Sequence, residues 1–264
     1  LVELVNGNYI VKSQFWDNGS IVDAGAVTWG DGALGVKGVV SSANSLVGRS
    51  DNDQVGNAGI TPLQGGNYVV SSSLWNRYLD GSDDNSGAVT WGSGARGVTG
   101  PVSLDNSLVG EFRDGLGSVY ALGTGDYVVY GSGDFFDSAT NTSWVGSLTW
   151  ANGAFGTSGV ITSRNAFTAV GELLSPVVRP ASLTGRDFFV GTPTHQQANA
   201  SGGLVLVKPS EAQVNTTILR PIQITDTANA GNSVLLQADN DITLNPGSSI
   251  IIDRPVGTGG SIEL

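Results

Sequence analysis

The chain of 264 residues carries 39 glycines, 23 acids against 12 bases, one histidine and no cysteine. A net charge of −11 argues against nucleic acid and against an anionic membrane surface, both of which need clustered Lys and Arg. Without cysteine there are no disulfides or thiolate metal sites, one histidine excludes a multi-histidine centre, and no apolar run approaches the roughly 18 residues of a membrane span.

The chain starts at Leu1 and contains no methionine, so it reads as a piece of a longer polypeptide. Its first element is GNYIV, Gly7 to Val11, which returns as GNYVV at Gly66 and GDYVV at Gly125. Tyr9, Tyr68 and Tyr127 therefore stand 59 positions apart. A weaker fourth copy is DFFV, Asp187 to Val190. Next comes GAVTWG at Gly25, repeated at Gly87, degraded to GSLTWA at Gly146 and then to GGLVLV at Gly202. NSLVG at Asn44 recurs unchanged at Asn106, with NAFTAVG at Asn165 as a longer version. Self-similarity at a fixed period outranks any local motif.

Within one period the apolar runs are short and rich in Val, Ile, Tyr and Trp, and Gly, Asn, Asp and Ser separate them. That is the signature of strands and turns. In the second copy, strands are predicted at 60–63, 67–72, 87–91 and 107–109. No stretch keeps a helical period. The fold class is thus all-β: tandem four-stranded, propeller-like blades with a repeat of about 59–62 residues. The blades are expected at about 1–59, 60–118, 119–176 and, in part, 177–208.

The order of elements resembles the FG-GAP blade of integrin α-subunit propellers. DQVGNAGITPLQGGNYVVSS (Asp53 to Ser72), then SGAVTWG (Ser86 to Gly92) and NSLVG, follow that blade's D-x-x-G, hydrophobic-V-V and G-A-V-x-x-x-G sequence. The second D-x-x-G runs from Asp114 to Gly117. The resemblance covers about residues 1 to 208 and implies face-to-face packing of successive blades. In that family a run of alternating Asp and Asn before the second strand holds calcium, whereas here the connection is QGG or GTG. A closed four-blade ring, a truncated array and an open stack all remain, the last two favoured.

Beyond Lys208 the pattern changes. Triplets at 234–236, 242–244, 250–252 and 262–264 alternate with Asn, Asp and Gly, and SVLL at Ser233 stands 28 positions before SIEL at Ser261. Regular short strands with turns are what a parallel β-helix needs. The stretch from Ser233 to Ile250 resembles the coils of filamentous-haemagglutinin-type exoproteins, exported by two-partner secretion. Residues 209–264 are therefore expected to form a short, truncated β-helix-like segment.

The aromatic repeat positions Tyr9, Tyr68, Tyr127, Trp29, Trp91 and Trp150 lie in apolar strands and read as core. Trp16 and Trp75, 59 apart, lie in the polar loop after the second strand, and with Trp144 they are the ligand-contact candidates. Asp80, Asp83, Asp84 and Asn85 offer oxygen ligands of the kind calcium takes, as do Asp51 and Asp53, but without the spacing of a dedicated loop; solvated turns are the plainer reading. No cofactor is expected otherwise. His195 has no nucleophile pattern near it, and four N-x-S/T sequons (Asn18, Asn141, Asn199, Asn215) are no more than an Asn- and Ser-rich chain supplies.

Together these readings point to a non-enzymatic, structural and adhesive segment of a secreted or cell-surface bacterial protein, a fragment of a large adhesin. Its expected partners are a host or environmental surface, a glycan, or further copies of itself, with no nucleic acid and no membrane insertion. The alternatives are a self-assembling extracellular filament subunit joined by its end strands, and a lectin-like glycan-binding module.

Overall fold

A computed structural model describes residues 1–77, 85–110, 114–137, 142–162 and 166–168, and seven further strands within 177–180, 188–192, 203–207, 222–225, 234–235, 250–253 and 262–263. The chain is all-β, with no helix among the described residues. The first repeat is an antiparallel meander of β1 (Val2–Glu3), β2 (Tyr9–Ser13), β3 (Ala26–Gly30) and β4 (Ser45–Val47). The second runs β5 (Gly59–Pro62), β6 (Tyr68–Ser72), β7 (Ala88–Gly92), β8 (Gly100–Pro101) and β9 (Ser107–Val109). The third runs β10 (Ser118–Ala121), β11 (Tyr127–Asp137), β12 (Thr142–Ala151), β13 (Gly159–Val160) and β14 (Phe167–Thr168). The four strands predicted for the second repeat are all present, within a residue at each end.

The recurring Gly-Asn-Tyr has a backbone reason. Leu4, Leu63 and Leu122 each close a tight turn by donating their amides to Asn8, Asn67 and Asp126 at 2.8 Å. The glycines inside those turns, Gly7, Gly66 and Gly125, sit at φ of 84°, 85° and 89°. A side chain is disfavoured there, so the position keeps glycine. The Thr of A-V-T-W and the Ser of N-S-L-V meet across the third and fourth strands: Thr28 and Ser45, then Thr90 and Ser107, share buried hydroxyl hydrogen bonds of 2.7 Å.

The sheets pack face to face, and alternation along each strand assigns the faces. On the middle sheet, Tyr68, Val70, Ala88 and Val109 point toward the first repeat, where they join Ile10, Val27 and Leu46. Val69, Val89 and Leu108 point the other way and join Tyr127, Val129 and Ala151 of the third repeat. A sheet covered on both faces needs apolar residues at nearly every position, and β6 is buried throughout. Among the described residues no sheet closes into a barrel and no ring of blades forms.

Two strands escaped the sequence reading. Short β8 leaves its own repeat and pairs in parallel with β4 of the first, Leu46 opposite Gly100 and Val47 opposite Pro101. Likewise β13 of the third repeat pairs in parallel with β9 of the second. The second and third repeats thus each add a fifth strand to the sheet before them, giving the orders β1-β2-β3-β4-β8 and β13-β9-β7-β6-β5. A proline is tolerated at such a sheet edge because its missing amide costs no ladder bond there.

Further along, β15 (Val177–Pro180), β16 (Phe188–Thr192) and β17 (Gly203–Val207) form a three-stranded antiparallel sheet containing the weak fourth copies of both motifs. Then β18 (Ile222–Thr225) pairs in parallel with β20 (Ile250–Asp253), and β19 (Val234–Leu235) with β21 (Ile262–Glu263). Both pairings are offset by 28 residues, the spacing that separates SVLL from SIEL. The predicted strand at 242–244 lies outside the described residues.

Candidate functional site

A buried cluster of polar groups lies at the junction between the first two repeats. Asp53, the first residue of D-x-x-G, is fully buried. Its Oδ2 accepts the amides of Arg49 and Ser50 at 2.8 and 2.9 Å, at the end of the first repeat. Its Oδ1 accepts the Asn76 amide at 2.9 Å and the Asn76 Nδ2 at 3.3 Å, from the second repeat. Burial raises this carboxyl above the ordinary aspartate range, and the four donors pull it back only in part. Asn76 is in turn fixed by accepting the Asn85 amide at 3.1 Å. Asp114, the equivalent residue one repeat on, is buried as well.

A second tie runs through the tryptophans. Trp29 donates its indole Nε1 to the Gly94 carbonyl at 3.0 Å, and Trp91 donates to Gly153 at 2.8 Å. Asn6 and Asn8 also reach Gly94, and Asn67 also reaches Gly153. Each indole therefore belongs to one repeat and bonds the next. Gly97 and Gly156 lie against these rings at φ of 76° and 79°. A Cβ on them would come within 2.6 Å of the Trp29 Cβ and 2.9 Å of the Trp91 Cβ.

The predicted site residues fare unequally. Tyr68 and Tyr127 are fully buried, and that burial raises both phenols far above their usual range, the nearby Asp126 charge adding to the rise at Tyr127. Tyr9, Trp29, Trp91 and Trp150 are half-buried. Trp75, expected in an exposed loop, is wholly buried in the core between the first two repeats, with the Arg49 guanidinium 5.2 Å from its ring centre. It cannot touch a ligand in this state. Its loop folds back under the preceding repeat, which one period of sequence does not disclose. Trp16, at the same repeat position, is half-exposed. The Trp144 side chain, Asp80, Asp83, Asp84 and His195 lie outside the described residues.

The acids read as weak calcium ligands are committed elsewhere where they are described. Asp51 accepts the Val22 amide at 2.8 Å, and Asp53 is saturated by its four donors. Asn85 adopts a left-handed backbone, φ 42°, and its carbonyl accepts the Gly115 amide at 3.1 Å. Among the described residues no three acids or histidines gather as a metal site would require. An open groove of about 260 Å³ lies where the second and third repeats meet, beside Trp91, Phe155, Asp105, Asn106, Thr157 and Ser158. Phe155 is 85% exposed there, a feature the sequence reading passed over.

No curated protein and no solved structure matches the chain. A family described as a repeat of unknown function (DUF5650) matches it three times, over residues 3–57, 62–117 and 121–172. Those matches cover well over half of the sequence and fall on the three stacked meanders just described, so the chain belongs to this repeat family.

Proposed function

We propose that this chain is a non-enzymatic scaffold segment of a secreted or cell-surface bacterial protein, a stiff stack of sheets that holds polar loops out for adhesion. The observation that carries this reading is the strand exchange between repeats: β8 completes the first sheet and β13 the second. A repeat so joined cannot swing on its neighbour without breaking backbone hydrogen bonds and opening a shared core. The meanders stacked face to face are read as propeller-like blades in an open or truncated array. The parallel pairings offset by 28 residues are read as coils of an exoprotein-type β-helix. Low charge and the absence of cysteine suit a chain exported unfolded.

Pulling single molecules of the full chain tests the scaffold. Residues 1–162 are expected to resist as one unit and to rupture cooperatively. Three separate low-force events, one per repeat, would overturn the reading.

A second reading, a glycan-binding module, is favoured by the groove beside Trp91. An exposed aromatic face next to carboxylate, amide and hydroxyl groups suits a sugar, which presents both apolar C–H faces and hydroxyls. A glycan array decides it: selective binding lost in Phe155→Ala supports the module, and a flat response ends it.

A further inference from the structure

The three repeats are alike in sequence but not in what covers them. Several repeat positions that are covered in the later copies are open in the first. Tyr9 is half-buried, while Tyr68 and Tyr127 are fully buried. Trp16 is half-exposed, while Trp75 is fully buried. Val40 is half-buried, while Val102 and Ile161 are 0% and 1% exposed. In each case the cover on the later copy comes from the repeat before it.

The backbone shows the same asymmetry. Gly38-Val39-Val40 occupies the place of Gly100-Pro101-Val102 and Gly159-Val160-Ile161. In those two copies the segment forms β8 or β13, and the amides of Val102 and Ile161 donate to Val47 and Val109 at 3.0 and 2.8 Å. Gly100 also donates to Ser42 at 2.9 Å. Among the described residues, Gly38 to Val40 pairs with no strand, and Val39 is 86% exposed. Gly94 and Gly153, whose carbonyls take the indole of the preceding repeat, are buried; their counterpart Gly32 is exposed.

We infer that this face of the first repeat is a docking surface for another repeat of the same family, whose fourth strand pairs in parallel with Gly38–Val40 and whose core covers Tyr9, Trp16 and Val40. The partner is defined by chemistry already present twice in the chain: a Ser-Leu-Val-type edge strand, an indole donor for the Gly32 carbonyl, and an apolar sheet face. Nothing in this depends on the array being adhesive. One residue narrows the choice further. Asp17 stands where Asn76 stands, and it accepts the Asp23 amide as Asn76 accepts that of Asn85. A partner with aspartate at the place of Asp53 would bring two carboxylates together. The fitting partner carries a donor there instead.

The test lengthens the full chain at Leu1 by one copy of residues 1–59 carrying Asp53→Asn. Amide hydrogen exchange then reads Gly38 and Val40. In the original chain both are expected to exchange fast at every protein concentration. In the lengthened chain they slow to the rates of Gly100 and Val102. Val40→Glu leaves the melting of the original chain unchanged but abolishes that protection in the lengthened one. Fast exchange at Gly38 and Val40 in the lengthened chain, or failure of the added copy to fold, overturns the proposal. So does slowing in the original chain as its concentration rises, because the occupant is then a second copy of this chain.

Discussion

The Trp29 indole bonds the Gly94 carbonyl of the next repeat at 3.0 Å, and the Trp91 indole bonds Gly153 in the same way at 2.8 Å. The two ties differ in their surroundings. Gly94 keeps two further donors, Asn6 and Asn8, whereas Gly153 keeps only Asn67 among the described side chains. Phenylalanine at either position removes the indole N–H, after which the Gly94 carbonyl keeps two side-chain donors and the Gly153 carbonyl keeps one. Both substitutions are expected to destabilise the fold by about 0.5–1.5 kcal/mol, the net worth of one hydrogen bond. Trp91→Phe costs more than Trp29→Phe. Urea unfolding reads the order from the midpoints, provided the slope is unchanged.

Asp53 accepts four hydrogen bonds at the junction of the first two repeats. Removing its carboxylate strands two amides of one repeat and an amide plus an Nδ2 of the next. Asp53→Ala is expected to destabilise by about 3 kcal/mol or more, since each buried unsatisfied donor costs on the order of 1–3 kcal/mol. Loss should be cooperative across both repeats, because the residue belongs to neither alone. Exchange of the Arg49, Ser50 and Asn76 amides checks this: all three should quicken together.

The same carboxyl gives a pH dependence of definite sign. Burial raises its pKa above the unfolded value of 3.8, against the opposing pull of its donors. The folded state then holds the proton longer than the unfolded one. That contribution to stability is complete below the unfolded value and is lost as pH rises through the folded one. The unfolding free energy of the native chain minus that of Asp53→Asn should therefore fall as pH climbs from about 3 toward neutrality. A difference that grows over that range would mean the four donors outweigh burial.

The strands were legible because Val, Tyr and Trp recur in short runs between turn residues, and a repeated pattern averages out the ambiguity of any one run. What a single period hides is the neighbour. Trp75 sits among Asn, Ser and Arg in sequence, yet the preceding sheet and Arg49 cover it entirely. Gly100–Pro101 reads as a turn, although Gly-x-Val/Ile-Ser/Thr recurs at Gly38, Gly100 and Gly159, a signal that could have marked it as a strand. The D-x-x-G aspartate was visible as a motif, but its role as a buried knot between repeats rests on partners 23 positions away. Contacts of that kind are set by stacking, not by local propensity.

Gly97 tests the fit of one repeat against the next. Its φ of 76° disfavours any side chain, and a Cβ there would meet the Trp29 Cβ at 2.6 Å. Gly97→Ala is expected to destabilise by about 1–3 kcal/mol through backbone strain and overpacking together. Gly156→Ala, against Trp91, should behave alike. By contrast Gly65, with open space where a Cβ would lie, should accept alanine with little change in melting temperature.

The pair Trp16 and Trp75 separates repeat identity from environment most sharply. They occupy one repeat position, but Trp75 fills the core beneath Arg49 while Trp16 stays half-exposed. Trp75→Ala removes a fully buried ring and should cost about 3–5 kcal/mol. Trp16→Ala in the same chain should cost less than about 1 kcal/mol, because solvent already reaches that site. Thermal unfolding of the two variants measures the contrast directly. If Trp16→Ala proved as damaging as Trp75→Ala, the first repeat would have to bury its tryptophan by some means other than a preceding repeat, and the open face would lose its strongest side-chain witness.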